Sequence, residues 1–326
     1  MRDAEVCLSH VSGLASPSAK GNGGGRLHRG SAGALGASWY GLMYLVAHHV
    51  LHKDTPLIRG LVLSNRCNLH CRHCDVAARD ASDLDFAEAR AAAAAFYRAG
   101  GRCLYLEGGE PFLWRDGKHT VDDIVDYARA LGYLTVVVYT NGTLPIQTSA
   151  DTVFVSVDGL KDTHDALRGT SFERIMTNIR ESPHGSLYIN YTINSRNSGE
   201  LAAFCEHVRG MRQVRGVFFY LHTPYYGHDA LELDPLERQR VLSELLSLRR
   251  RYRILNSAAG LRAALRNDWA RPMAMCSVYE KGVVHECCRY SGDAELCRQC
   301  GYLSYAEIDQ VLRLKPSAIA NALKYF

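Results

Sequence analysis

Leu63-Ser64-Asn65-Arg66-Cys67-Asn68-Leu69-His70-Cys71-Arg72-His73-Cys74 places three cysteines within eight residues, between an apolar run at 60–64 and an amphipathic stretch at 86–98. Cysteine thiolates at close spacing hold iron–sulfur clusters. Three of them suffice for three irons of a cubane and leave the fourth iron open to a small molecule. A fourth cysteine would close the site. On spacing alone, a zinc ion completed by His70 or His73 fits as well.

The loop also bears on architecture, because it lies between a strand-like and a helix-like segment. Outward from it, residues 57–252 alternate the two kinds of run. Strands are expected at 60–64, 103–107, 135–139, 152–157, 187–193 and 217–221, as short β-branched or aromatic runs bounded by turn residues. Amphipathic helices are expected at 86–98, 121–130, 172–180, 201–209 and 235–251. Such a βα series implies a parallel sheet, as an open barrel or doubly wound, with its working site at the carboxyl ends of the strands.

The chain has 326 residues, 47% hydrophobic and 22% charged, an ordinary globular composition. Its net charge of +4 argues against a nucleic-acid partner, and the one dense basic run, Arg249 to Arg253, reads as a solvated helix end. Eleven cysteines without a secretory signal peptide point to a cytoplasmic protein using them for metal or redox chemistry. Residues 1–34, rich in Gly, Ser and Ala, read as a disordered tail. Residues 35–56 form an N-terminal helix. Its segment 39–51 is too short to span a bilayer and either packs on the barrel or touches lipid as a peripheral interfacial helix.

Four more motifs follow at or just after successive strand ends: Glu107-Gly108-Gly109-Glu110-Pro111, Thr140-Asn141-Gly142, Ser156-Val157-Asp158-Gly159, and Asp162-Thr163-His164-Asp165 with Arg168-Gly169. Each alone occurs readily in turns. Together and in this order they resemble the radical S-adenosylmethionine (radical SAM) superfamily over residues 57–252. The resemblance implies a partial (β/α)6 TIM-like barrel with a [4Fe–4S] cluster on Cys67, Cys71 and Cys74. It places Gly108, Gly109, Glu110, Asn141, Ser156, Asp158 and Arg168 around SAM, with Arg168 either pairing with the methionine carboxylate or lying solvated on the surface. Two glycines would let the backbone approach the ligand closely. It further implies that an electron donor such as flavodoxin or ferredoxin reduces the cluster, that SAM is cleaved to methionine and a 5′-deoxyadenosyl radical, and that the radical takes hydrogen from a substrate.

A second set, Cys276, Cys287, Cys288, Cys297 and Cys300, lies in residues 253–326. Cys276 to Cys287, with Gly282 between them, resembles the opening of the SPASM/twitch extensions, in shortened form. That likeness implies an auxiliary [4Fe–4S] cluster on Cys276, Cys287, Cys297 and Cys300, although tetrahedral zinc fits the same count. Cys288 can be read as a substitute ligand, a buried thiol or a hydrogen-atom donor to a substrate radical. Cys103 and Cys205 read as buried thiols. After the sixth strand, His222, Tyr225 and Tyr226 are placed to line a substrate pocket or to pack in a turn, with Asn190, Tyr191 and Asn194 as further candidates. The expected substrate is a small molecule or an isoprenoid or lipid-type intermediate. A ribosomally made peptide and a non-catalytic iron–sulfur scaffold are the alternatives.

Overall fold

A computed structural model describes residues 31–52, 55–74, 76, 82–224 and 230–325. Two compact units divide between residues 53 and 54. In the first, α1 runs over Ser31–Leu51, so helix replaces the last residues of the expected tail, and residues 1–30 lie outside the described ones. Among the described residues no helix is long and apolar enough to cross a membrane.

The second unit is built on one sheet. Strands β1 (Ile58–Ser64), β2 (Cys103–Gly108), β3 (Thr135–Thr140), β4 (Thr152–Ser156), β5 (Leu187–Ile193) and β6 (Val214–Leu221) pair in sequence order, all parallel. Apart from its first residue β1 is buried throughout, as befits a parallel strand covered on both faces. Helices α2 (Phe86–Arg98), α3 (Val121–Leu131), α5 (Phe172–Glu181), α6 (Leu201–Arg209) and α7 (Pro235–Leu248) form where the apolar period places them. Local chemistry sets their ends. Asp85 accepts from the Glu88 amide to start α2, and Thr120 and Asp123 form a capping box on α3, which stops at Gly132 with φ +101°.

Three features depart from the expected pattern. Residues Lys161–Arg168, read only as a motif, form α4, a polar helix that buries His164, Leu167 and Arg168. Strand β6 begins at Val214 rather than 217, and α7 stops at Leu248 rather than 251. A seventh parallel strand, β7 (Cys276–Glu280), pairs with β1, and β8 (Val283–Glu286) returns antiparallel beside it. The strand order is therefore β6-β5-β4-β3-β2-β1-β7-β8, an open sheet. The sheet thus continues past residue 252 into the C-terminal cysteine segment.

Helices α8 (Ala258–Arg266), α9 (Ala294–Gln299), α10 (Leu303–Leu312) and α11 (Pro316–Tyr325) complete the unit. Glu307 of α10 accepts from the Ser257 amide at 2.7 Å, and a Cβ on Gly260 would come within 2.1 Å of its carboxylate. Desolvation pushes the Glu307 carboxyl up to about 7. An unfolded glutamate titrates near ~4.3. The folded chain thus holds a proton that the unfolded chain releases, so stability is full below that value and declines as pH rises through about 7. Glu307→Gln should flatten this decline when denaturant midpoints at pH 5 and pH 8 are compared.

Candidate active site at the strand ends

The cysteine loop leaves β1 under tight control. Ser64 Oγ donates to Asp83, the Asn65 amide to Ser82 O at 3.0 Å, and the Arg66 guanidinium pairs with Asp83. The β2 turn presses on it from the other side: the Gly109 amide donates to Ser64 O at 2.7 Å and the Glu110 amide to Arg66 O at 2.8 Å. A Cβ on Gly108 would stand 2.1 Å from Ser64 O, and one on Gly109 2.1 Å from Arg66 O. The closeness that the two glycines permit is therefore first a contact between two backbones, which sets where the cysteines sit.

Glu110 is fully buried. Its carboxylate accepts from the Phe112 amide (3.0 Å), Thr140 Oγ1 (2.8 Å) and the Asn141 amide (2.7 Å), tying the ends of β2 and β3 together. Burial raises its pKa against these bonds. Asn141, so fixed, donates through Nδ2 to Asn68 Oδ1 at 2.9 Å and lies 3.7 Å from Cys67 Sγ.

The opposite flank of the loop is ionic. Asp158 has no exposed surface and accepts from Arg168 Nε and, at 2.6 Å, from the Thr192 amide; His73 Nε2 stands 3.4 Å away. Burial would lift the Asp158 carboxyl, but Arg168, His73 and the Thr192 amide outweigh it and hold it below the usual range. Arg168 is 8% exposed, which rules out the solvated reading, and its Nη1 lies 3.8 Å from Cys71 Sγ. Burial and then Arg168 push the His73 imidazole down to about 4, so it is neutral at pH 7. The Arg72 amide donates to Leu167 O at 2.8 Å, docking the loop on the end of α4.

Burial raises the Cys67 thiol and pushes Cys71 up to about 11, and the three loop cysteines lie within electrostatic reach of one another. Among the described residues no three His, Cys, Asp or Glu side chains converge as ligands of one ion. A cubane is larger than one ion and takes thiolates that stand further apart. Three thiols on one loop, with N–H groups of Asn141 and Arg168 turned toward two of them, fit that larger group. Ser156 lies in register with Asn190, whose buried Oδ1 has no hydrogen-bond partner, and the buried His73 Nδ1 has none either. Such polar atoms, close to the strand ends, suit a polar ligand over the loop.

The other expected substrate residues separate. His222 is buried with its ring centroid 6.3 Å from that of His73. Tyr225 and Tyr226 lie outside the described residues. Tyr191 is core, its hydroxyl donating to Asn197 O at 3.1 Å, and Asn194 shapes a turn by accepting from the Arg196 amide at 3.0 Å. Cys205 is a buried thiol pushed up to about 12, as expected of an inert one, whereas Cys103 is half-exposed.

Cys276 opens β7, Cys287 and Cys288 follow β8, and Cys297 and Cys300 lie on α9 and at its end. Cys276, Cys287 and Cys300 are buried, while Cys288 and Cys297 are half-exposed. The Cys287 amide donates to Cys276 O at 2.8 Å, and Cys287 has φ +65°, an uncommon conformation for a non-glycine residue. The two neighbouring thiols interact, which raises the Cys287 thiol and lowers that of Cys288. Gly301 docks the last cysteine: its carbonyl accepts from the Leu221 amide at 3.0 Å, and a Cβ there would lie 1.8 Å from Leu221 O. Arg238 of α7 donates to Gln299 O (3.0 Å) and Cys300 O (2.9 Å). Arg289 pairs with Glu280 and reaches Glu107 at 3.3 Å, joining this segment to the β2 turn. Arg238 and Arg289 carried no motif of their own, so only their positions in the fold reveal them, while His73, read from the sequence as an alternative zinc ligand, faces Asp158.

A profile of the Radical SAM superfamily matches residues 61–183, so the chain carries a radical SAM domain; members of that superfamily hold a [4Fe–4S] cluster and SAM. It is 29% identical over 217 residues to the AdoMet-dependent heme synthase of Methanosarcina barkeri (62% of this chain, 61% of that protein). It is 31% identical over 252 residues to the pre-heme d1 synthase of Dinoroseobacter shibae (67% and 58%), and 27% identical over 215 residues to the Fe-coproporphyrin III synthase of M. barkeri (61% and 53%). The chain thus spans between about half and three fifths of these relatives' lengths. Among solved structures, native anSMEcpe with bound AdoMet and Cp18Cys peptide shares the fold at TM-score 0.52 and 19% identity, covering 71% of this chain and 74% of that one. Methylornithine synthase (PylB) does so at TM-score 0.50 and 14% identity, covering 91% and 93%.

Proposed function

We propose that this chain binds a [4Fe–4S] cluster on Cys67, Cys71 and Cys74, cleaves SAM reductively there, and removes hydrogen from a tetrapyrrole bearing carboxylate side chains. The observation that carries the chemistry is the convergence of successive strand ends on one cysteine loop, with Asn141 3.7 Å from Cys67 and Arg168 3.8 Å from Cys71. The bound cluster would supply one electron to the sulfonium of SAM, giving methionine and the adenosyl radical. The chain's own residues do the placing. Gly108, Gly109 and Glu110 fix the loop, the Asp158–Arg168 pair holds its far side, and Ser156, Asn190 and His73 present polar groups to SAM.

A tetrapyrrole is preferred because the names of three curated relatives all refer to heme-type products. The isoprenoid or lipid class has no counterpart among them. A peptide substrate draws on structural neighbours below 20% identity, such as anSMEcpe with its bound peptide. In this reading Cys276, Cys287, Cys297 and Cys300 hold a second [4Fe–4S] cluster, and a flavodoxin or ferredoxin supplies the electron.

The test is anaerobic incubation of the reconstituted protein with SAM and dithionite, adding iron coproporphyrin III, an isoprenoid diphosphate or a cysteine-containing peptide in turn. Iron coproporphyrin should raise 5′-deoxyadenosine well above the substrate-free rate and shift its Soret band on binding. Stimulation by the peptide or the isoprenoid with none by the porphyrin would overturn the substrate assignment.

A further inference from the structure

Gly60, Tyr105 and Cys276 lie on the neighbouring strands β1, β2 and β7, in the order β2-β1-β7. Tyr105 is in register with Gly60, and Cys276 with Ile58. A Cβ on Gly60 would stand 2.3 Å from the Tyr105 ring. The ring therefore crosses β1 at a residue that has no side chain, and its hydroxyl arrives 3.7 Å from Cys276 Sγ on the far strand. The Tyr305 hydroxyl is 3.9 Å from the same sulfur but also 2.8 Å from Cys287 O. A phenol has one proton, and the shorter bond to the carbonyl takes it. That leaves Tyr105 as the donor to the sulfur.

We propose that Tyr105 tunes the C-terminal cluster by donating a hydrogen bond to the Cys276 thiolate and so raising the cluster's reduction potential. The proposal rests on the reading of these cysteines as iron–sulfur ligands. Reduction adds negative charge that the sulfurs share, and an O–H dipole pointed at one of them stabilises the reduced form more than the oxidised form. Hydrogen bonds to the sulfurs are among the levers that set cluster potentials. Tyr105 is a positioning residue in this role and touches no substrate.

The experiment uses full-length protein carrying Cys67→Ala, Cys71→Ala and Cys74→Ala, so that one cluster remains, reconstituted anaerobically and titrated by EPR at set potentials. Iron and sulfide are counted first. Tyr105→Phe should lower the reduced-to-oxidised ratio about tenfold at the parent's midpoint, a negative shift of ~59 mV for one electron. Replacing Tyr105 by 2,3-difluorotyrosine, a stronger donor, should move the midpoint the opposite way. This second variant decides the matter if the phenylalanine variant fails to hold its cluster. Tyr139→Phe removes a phenol that packs edge-on against Tyr105 at 6.1 Å and should leave the midpoint in place. An unchanged midpoint in both Tyr105 variants, with iron intact, overturns the tuning role. Absence of iron from the parent triple variant, or zinc in its place, overturns the cluster reading beneath it.

Discussion

Reconstituted protein with Cys67, Cys71 and Cys74 all changed to alanine is expected to bind about half the iron of the parent, a fall from about eight to about four irons per chain. Its formation of 5′-deoxyadenosine should drop to the level of a protein-free control. Two thiols alone cannot hold a cubane, so each single alanine variant should lose the same activity. The C-terminal cysteines lie on β7, the β8 return and α9 with its end, none of which the loop substitutions touch. Iron analysis with product quantification by mass spectrometry checks both halves. Full iron loss in the triple variant would mean that the C-terminal set holds none, whereas undiminished SAM cleavage would refute the assignment of the loop.

The second large effect is on stability. Arg168→Met leaves the Asp158 carboxylate buried without its cation, and removing one partner of a buried pair costs about 3–5 kcal/mol. The melting temperature should fall by roughly 5–15 °C. Adding Asp158→Asn should recover part of the loss, because the orphaned charge then disappears. The pair also sets an acid limit. The Asp158 carboxyl is held below its usual range in the folded chain, whereas an unfolded aspartate titrates near ~3.9. The pair's contribution is thus complete above that value and is lost as pH falls through the lower, folded one. Unfolding curves between pH 3 and pH 7 should show this acid sensitivity in the parent and less of it in Arg168→Met.

The parallel strands β1 to β6 were legible because each is a short apolar run with turn residues at both ends, and a covered parallel strand needs little more. Strand β7 was not. Cys-Ser-Val-Tyr-Glu is too short and polar to stand out, and its cysteine drew attention to metal binding instead. Helix α4 was hidden by charge: in Lys161–Arg168 the buried side chains are His164, Leu167 and Arg168, of which one is apolar. The site divides the same way. Cys67, Gly109, Asn141 and Asp158 belong to local motifs that sequence carries intact. The ties between them do not. Arg168 meets Cys71 across 97 positions and Tyr105 meets Cys276 across 171, contacts that exist only once the sheet has brought the strands together.

The place of β7 beside β1 has a consequence for how the protein is made. Strand β1 leaves the ribosome early, and the neighbour that covers one of its edges, Cys276–Glu280, follows more than 200 residues later. Until then an apolar strand offers a row of unpaired amides and carbonyls to any passing chain. Synthesis at 5–20 residues per second leaves that edge open for roughly 10–40 s. An open edge is an aggregation hazard for that interval, and a chain truncated before residue 276 would keep that edge of β1 unpaired.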